Sequence, residues 1–287
     1  MSSHPIVVTG AAGQLGRDVV IALGEAGRDA VALERADLDL TDADAVVSTL
    51  TELQPSAVVN CAAYTAVDAC ETNEETAFAV NEAGVRTLAE ACRSVGAHLV
   101  HVSTDYVFDG ELARPYREDD ATNPQSVYGR SKLAGEEAAV DVLGDGATVV
   151  RTSWVCGEHG NNMVKLVRRL ADGGTDMAFV SDQVGHPTFT ADLAPALVTL
   201  ADERHGGVFH LTNAGAVSWY EFVADVLEAS GHDRSMVRPI TTAELDPPRP
   251  APRPANSVLD NARWRELGHE PLRDFREPLA ELVAALS

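Results

Sequence analysis

Five short apolar runs separated by four stretches of helical spacing fill the first 155 residues, and that alternation limits the fold more than any other feature. The runs are PIVVTG (5–10), AVALE (30–34), AVVNCAA (57–63), HLVHVST (98–104) and ATVVRTSWV (147–155). Each is apolar throughout rather than alternating, as strands buried on both faces are. Between them, residues 17–27, 43–53, 74–96 and 126–140 carry apolar side chains at the spacing of an amphipathic helix. Strands spaced by helices pair through crossovers, so the expected fold class is α/β with a doubly wound parallel sheet. Beyond about residue 153 the rhythm loosens. A helix at 162–172, a strand at MAFVSD, a loop at QVGHPTFT, a helix at 192–202, a strand at VFHLT and a helix at 220–230 are expected. The proline-rich stretch LDPPRPAPRPA (245–255) reads as an ordered loop, because proline removes donors from any ladder.

Charge narrows the partners. The 287 residues carry 44 acidic and 22 basic side chains, a formal net of −22, and this field opposes nucleic acid and anionic membranes. Only two of the basic residues are lysines, Lys132 and Lys165. An acidic, lysine-poor chain suits a salt-rich, halophilic cytoplasm, where the Debye length falls to about 3 Å at 1 M salt. Four scattered cysteines, with no CxxC or CxxH spacing, fit a reduced compartment and suggest no metal cluster. The start, MSSHPIVVTG, lacks a basic leader, and no run is long enough to span a bilayer. The expected location is cytoplasmic.

The first motif is TGAAGQLG (9–16), at the junction of the first strand and helix. Gly10 allows a tight turn, Gly13 lets backbone approach a pyrophosphate, and Gly16 allows close helix–sheet packing. Phosphates would then sit at the positive helix N-terminus. Glu34 and Arg35 end the second strand. An acid there favours the ribose hydroxyl of NAD and an arginine the 2′-phosphate of NADP, so NADH and NADPH both stay open. Asp39 and Leu40 fall where the adenine edge should rest, with a turn or cap as the other reading of Asp39. NCAAY (60–64) closes the third strand with small residues that let backbone lie against a cofactor.

The second motif is VYGRSKLAGEE (127–137). Tyr128 and Lys132 are four residues apart, one turn along a single helical face. A tyrosine that protonates a carbonyl oxygen becomes a phenolate, which is costly at its reference pKa of about 10. An ammonium about 4 Å away would offset on the order of 4 kcal/mol of that cost at an effective dielectric of about 20. Arginine is bulkier and suited to forked partners, which gives a reason for a lysine here. Ser103 and Thr104 end the neighbouring strand, where a hydroxyl could orient the same oxygen.

TGAAGQLG, STDYVFDG (103–110) and YGRSK (128–132) together resemble the extended short-chain dehydrogenase/reductases. RTSWV (151–155), SDQVGHPT (181–188) and RPANSVLD (253–260) narrow the resemblance to the dTDP-4-dehydrorhamnose reductase family, nearly end to end. It implies a Rossmann sheet plus a smaller C-terminal α/β substrate-binding lobe, divided as 1–152 with about 188–215, and about 153–187 with 216–287. It assigns Tyr128 as general acid, Lys132 to the tyrosine and the nicotinamide ribose, and Thr104 to the keto oxygen. Thr104, Asp105 and Trp154 would hold the sugar. Gly13, Gln14, Leu15, Asp39, Leu40, Ala62, Ala63 and Tyr64 fall on the family's cofactor positions, with Tyr128 and Lys132. The implied reaction is reduction by NADPH or NADH of the 4-keto group of a dTDP-6-deoxy sugar, by a monomer or homodimer. Some relatives bridge dimers with a metal, but no acidic constellation here specifies one. Two other readings are a nucleotide-sugar epimerase or dehydratase of the same fold, and a non-catalytic NADP-binding subunit like that of methionine adenosyltransferase. Intact Thr104, Tyr128 and Lys132 weigh against the last, and TDYVFDG against the former. His186 and Asn81 are further polar candidates, each with an ordinary reading as a loop or helix-surface residue.

Overall fold

The apolar runs form short strands whose successive side chains enter different cores. The structure, a computed structural model, describes residues 4–286. Its first half runs β1 (Ile6–Thr9), α1 (Gln14–Glu25), β2 (Ala30–Leu33), α2 (Ala43–Leu53), β3 (Ala57–Asn60), α3 (Val67–Cys70), α4 (Glu74–Phe78), α5 (Gly84–Val95), β4 (His98–Thr104), α6 (Val127–Leu143) and β5 (Ala147–Thr152). The second half runs β6 (Val155–Cys156), α7 (Met163–Asp172), β7 (Met177–Val180), β8 (Val184–Gly185), β9 (Thr188–Phe189), α8 (Thr190–Glu203), β10 (Gly207–His210), β11 (Val217–Ser218), α9 (Trp219–Ala229), β12 (Val237–Ile240), α10 (Ala262–Glu266) and α11 (Arg276–Ala285).

Six strands pair in parallel in the order β2-β1-β3-β4-β5-β10. Ile6 and Val8 face a core shared with α1 and α8, while Val7 faces one shared with α2 and α5. Both faces are therefore covered, which is why these strands show no polar alternation. The chain leaves β1 for β2 on one side and returns to β3 on the other. That reversal opens a crevice at the carboxyl ends of β1 and β3, where ligands of such sheets bind. A separate apolar cluster joins Val164 and Val167 of α7, Phe222, Val226 and Leu227 of α9, and Phe275, Leu279 and Leu282 near or on α11.

Three elements differ from the sequence expectation. The helix expected over 74–96 is interrupted by a π turn, Ala79–Ala83, which widens the helix around Asn81. The Asn81 side chain is buried there and bonds both backbone groups of Tyr64, at 2.8 and 3.1 Å. The strand expected over 147–155 ends at Thr152, because Trp154 adopts φ +46° and Val155–Cys156 pairs instead with Thr188–Phe189. The strand expected over 57–63 stops at Asn60, so that Ala62 to Tyr64 form the rim of the crevice.

Candidate active site

A cleft of about 670 Å³ lies along the carboxyl edge of the sheet. Gly10, Gly13, Gln14, Leu15, Gly16, Arg35, Asp39, Leu40, Ala62, Ala63, Tyr64, Thr104, Asp105, Tyr128, Lys132 and Trp154 all line it. Residues from Gly10 to Trp219 thus meet around one space.

The glycine turn is closely packed. Gly10 has φ +68°, and a Cβ on it would come within 2.7 Å of the Ala62 nitrogen. A Cβ on Gly16 would come within 2.3 Å of the Gly10 carbonyl oxygen. Only glycine fits at either point. Helix α1 starts at Gly13 with no side-chain cap and no acidic residue in its first turn. Its leading N–H groups and positive end face the cleft without an internal anion, which is the donor set a dinucleotide pyrophosphate requires. Gln14 is committed elsewhere: its amide donates to Val155 O at 2.9 Å and accepts from Asn162 at 3.1 Å, joining α1 to the second half of the chain.

At the end of the cleft beside β2, Arg35 lines it and Glu34 does not. The Arg35 side chain is 83% exposed and lies 3.6 Å from Asp39. Asp39 accepts from the Thr41 backbone at 2.9 Å and hydroxyl at 2.8 Å, so it also builds the turn after β2. Those backbone and hydroxyl bonds hold its carboxyl below the usual range.

The other end of the cleft is built by α6. Ser126 caps the helix by accepting from the Gly129 N–H at 3.1 Å. A Cβ on Gly129 would lie 2.2 Å from Tyr106 O, and one on Gly135 would lie 2.0 Å from Asn81 O. The missing side chains let α6 press its backbone against the turn after β4 and against the π turn. This brings Tyr128 beside Thr104, and the two line the same cleft. Thr104 donates to Asp105 at 2.9 Å and accepts from the Tyr106 N–H at 3.2 Å. Burial raises Asp105 to about 6, and its Oδ2 is buried without a partner, as is Ser103 Oγ beside it. Trp154 stacks on Trp219 at 3.6 Å between ring centroids, and both line the cleft.

Lys132 is buried, and its Nζ donates to Val102 O at 2.7 Å and lies 3.4 Å from His101 Nε2. Burial raises the Tyr128 phenol above its ordinary value, with the Thr104 side chain opposing. Burial also lowers Lys132 to about 8, with Glu136 opposing. The helical spacing puts the two residues on one face, but the carbonyl and the ring at the end of β4 draw the amine toward the sheet.

His101 and Asn60 lie buried behind Lys132, and His101 carries no motif beyond a polar residue inside an apolar run. Trp219 has no sequence signal of its own. His186 takes its ordinary role: it is buried, its Nδ1 lies 3.0 Å from Thr212 Oγ1, and its carbonyl accepts from Ser153 at 2.7 Å.

Residues 4–287 match the family described as RmlD substrate binding domain. A dTDP-4-dehydrorhamnose reductase of Streptomyces griseus is 47% identical over 295 residues, covering 100% of this chain and 96% of the relative. The crystal structure of a dTDP-4-dehydrorhamnose reductase from Clostridium acetobutylicum superposes with a TM-score of 0.94 at 42% identity, covering 98% and 99% of the two chains. The Bacillus anthracis dTDP-4-dehydrorhamnose reductase, solved in complex with NADP, also has a TM-score of 0.94, at 33% identity and 99% coverage of each chain.

Proposed function

Since the chain belongs to the RmlD substrate binding domain family, within the short-chain dehydrogenase/reductases, we propose that it reduces dTDP-4-dehydro-L-rhamnose to dTDP-L-rhamnose with NADPH or NADH. The observation that carries this reading is the convergence of Thr104, Tyr128 and Lys132 on the same cleft as the glycine turn. Bound at that turn, the nicotinamide cofactor supplies the hydride. Thr104 and Tyr128 are the two hydroxyl donors for the 4-keto oxygen. With its pKa raised by burial, Tyr128 is fully protonated at neutral pH and gives its proton to that oxygen as charge develops there. Thr104, whose hydroxyl donates to Asp105 in the free protein, turns that bond to the same atom and orients it. Asp105, half-protonated near pH 6, meets the sugar hydroxyls, and Trp154, stiffened by Trp219, offers the ring a flat apolar face. Arg35 lining the cleft, which Glu34 does not, supports a preference for the 2′-phosphate of NADPH.

The chain division into a nucleotide lobe (1–152 with about 188–215) and a substrate lobe (about 153–187 with 216–287) belongs to this reading. So do a cytoplasmic location, a monomeric or homodimeric state and the absence of nucleic-acid partners. Among the described residues no helix is long and apolar enough to cross a membrane. An adaptation to salt follows from the net charge of −22, and higher stability in molar than in dilute KCl is its expected sign.

The test is to mix the protein with reduced cofactor and dTDP-4-keto-6-deoxy-L-mannose. Stoichiometric oxidation of the cofactor is expected. Sugar isomerisation without oxidation would replace the reading by an epimerase, and binding without turnover by a regulatory subunit. Tyr128→Phe should slow turnover by about 10²- to 10⁴-fold while cofactor binding persists. Full turnover in that variant would remove Tyr128 from the chemistry.

A further inference from the structure

We propose that His101 is a positioning residue for Lys132: together with Asn60 it holds the imidazole in the tautomer that turns an N–H toward the lysine nitrogen, and so favours the uncharged amine. This deepens the reductase reading and rests on it only for the role of Lys132 in turnover.

The chain of donors starts from a backbone group. The Ala62 N–H can only donate, and it lies 3.1 Å from the side-chain oxygen of Asn60. Thr9 Oγ1 donates to the same oxygen at 2.7 Å. The orientation of the Asn60 amide is thereby fixed, with its NH₂ 3.0 Å from His101 Nδ1. An NH₂ group can only donate, so Nδ1 presents its lone pair. In a neutral imidazole the proton then resides on Nε2.

Nε2 is the atom 3.4 Å from Lys132 Nζ. An ammonium there would face the ring hydrogen to hydrogen. A free amine instead accepts from Nε2–H with its lone pair and keeps an N–H for Val102 O at 2.7 Å. His101 is fully buried, and burial with the nearby lysine keeps its pKa well below the ordinary histidine value. The other ionisable groups facing Lys132 are Glu136 and Tyr128 on α6 and Cys61 after β3. Glu136 favours the ammonium, but its carboxylate is already bonded to Arg151 of β5. Burial keeps the Cys61 thiol protonated, at about 12. Burial separately lowers Lys132 to about 8. Through its tautomer His101 moves the amine–ammonium equilibrium toward the working pH range.

The chain has only two lysines, so ¹³Cε-lysine labelling of the full-length protein gives two signals, and Lys132→Met identifies that of Lys132. Selective ¹⁵N-histidine labelling, with His101→Leu to identify the ring, reads the tautomer directly. In the wild type, Nδ1 should carry the lone pair and Nε2 the proton. A proton on Nδ1 would overturn the proposal, and this measurement needs no variant to fold except for identification. Asn60→Asp turns the NH₂ donor into an acceptor, so the ring should flip tautomer and the Lys132 midpoint should rise by about one pH unit or more. The added charge alone is controlled by making Asn60→Asp on the His101→Leu background, where the rise should be smaller. Equal rises in both backgrounds would show a charge effect only and defeat the idea. None of these readouts depends on turnover, so a failed reductase assay leaves the test intact.

Discussion

One turn of α6 separates two buried charged residues that are stabilised very differently. Glu136 and Lys132 are 3% and 2% exposed. Glu136 accepts three bonds from Arg151, at 2.6, 3.0 and 3.1 Å, and the arginine also lies 5.1 Å over the Phe108 ring. Lys132 has no carboxylate partner; a carbonyl and a neutral ring receive it. The paired group belongs to the architecture that joins α6 to β5. The unpaired one lines the cleft with its proton affinity lowered. Equal burial thus has opposite consequences, according to whether the opposite charge is buried with it.

The strongest break in this contrast is Glu136→Gln. It leaves the Arg151 guanidinium buried without its counter-charge, and should cost about 3–5 kcal/mol in a urea melt. Lys132→Met is expected to act in the other direction. The folded lysine titrates at about 8 against 10.5 unfolded, so between those values the unfolded chain binds more protons and stability rises with pH. Removing the lysine should therefore stabilise the fold by about 3 kcal/mol at pH 7, the equivalent of that difference in proton affinity. The gain over wild type should shrink from pH 8 upward and vanish above about 10.5, while turnover is lost. A Lys132→Met protein no more stable than wild type at pH 7 would mean the buried amine carries no such cost. The smallest change is expected from replacing both Glu136 and Arg151 by methionine, which should restore stability to within about 1–2 kcal/mol of wild type or above it. A double variant as unstable as Glu136→Gln would show that the pair, beyond its burial, is needed for the fold.

Much of this arrangement could be read in advance from local pattern. The βα alternation, the glycine turn and the four-residue spacing of Tyr128 and Lys132 are short-range features, and each forms a recognisable unit without knowledge of distant partners. The break at Trp154 and the π turn at Asn81 could not be read, because both serve contacts with other elements: Thr188 N donates to Trp154 O at 3.3 Å, and Asn81 bonds the Tyr64 backbone. The strand Gly207–His210 reads as a strand from its apolar run, but nothing local says that it pairs beside β5, more than fifty residues earlier. Glu136 is locally one acid among others in GEEAAV, and its pairing with Arg151 of the next strand at 2.6 Å is set only by the fold.

The sequence by itself determined the layered α/β class, the close-packed glycine turn and the shared face of Tyr128 and Lys132 on α6, because these follow from side-chain period and from the absence of a Cβ. The protonation states were decided only by tertiary structure. They depend on what surrounds a group once water is excluded, and at Lys132 that is a carbonyl from β4, a ring whose tautomer is set from β3, and a carboxylate already claimed by β5.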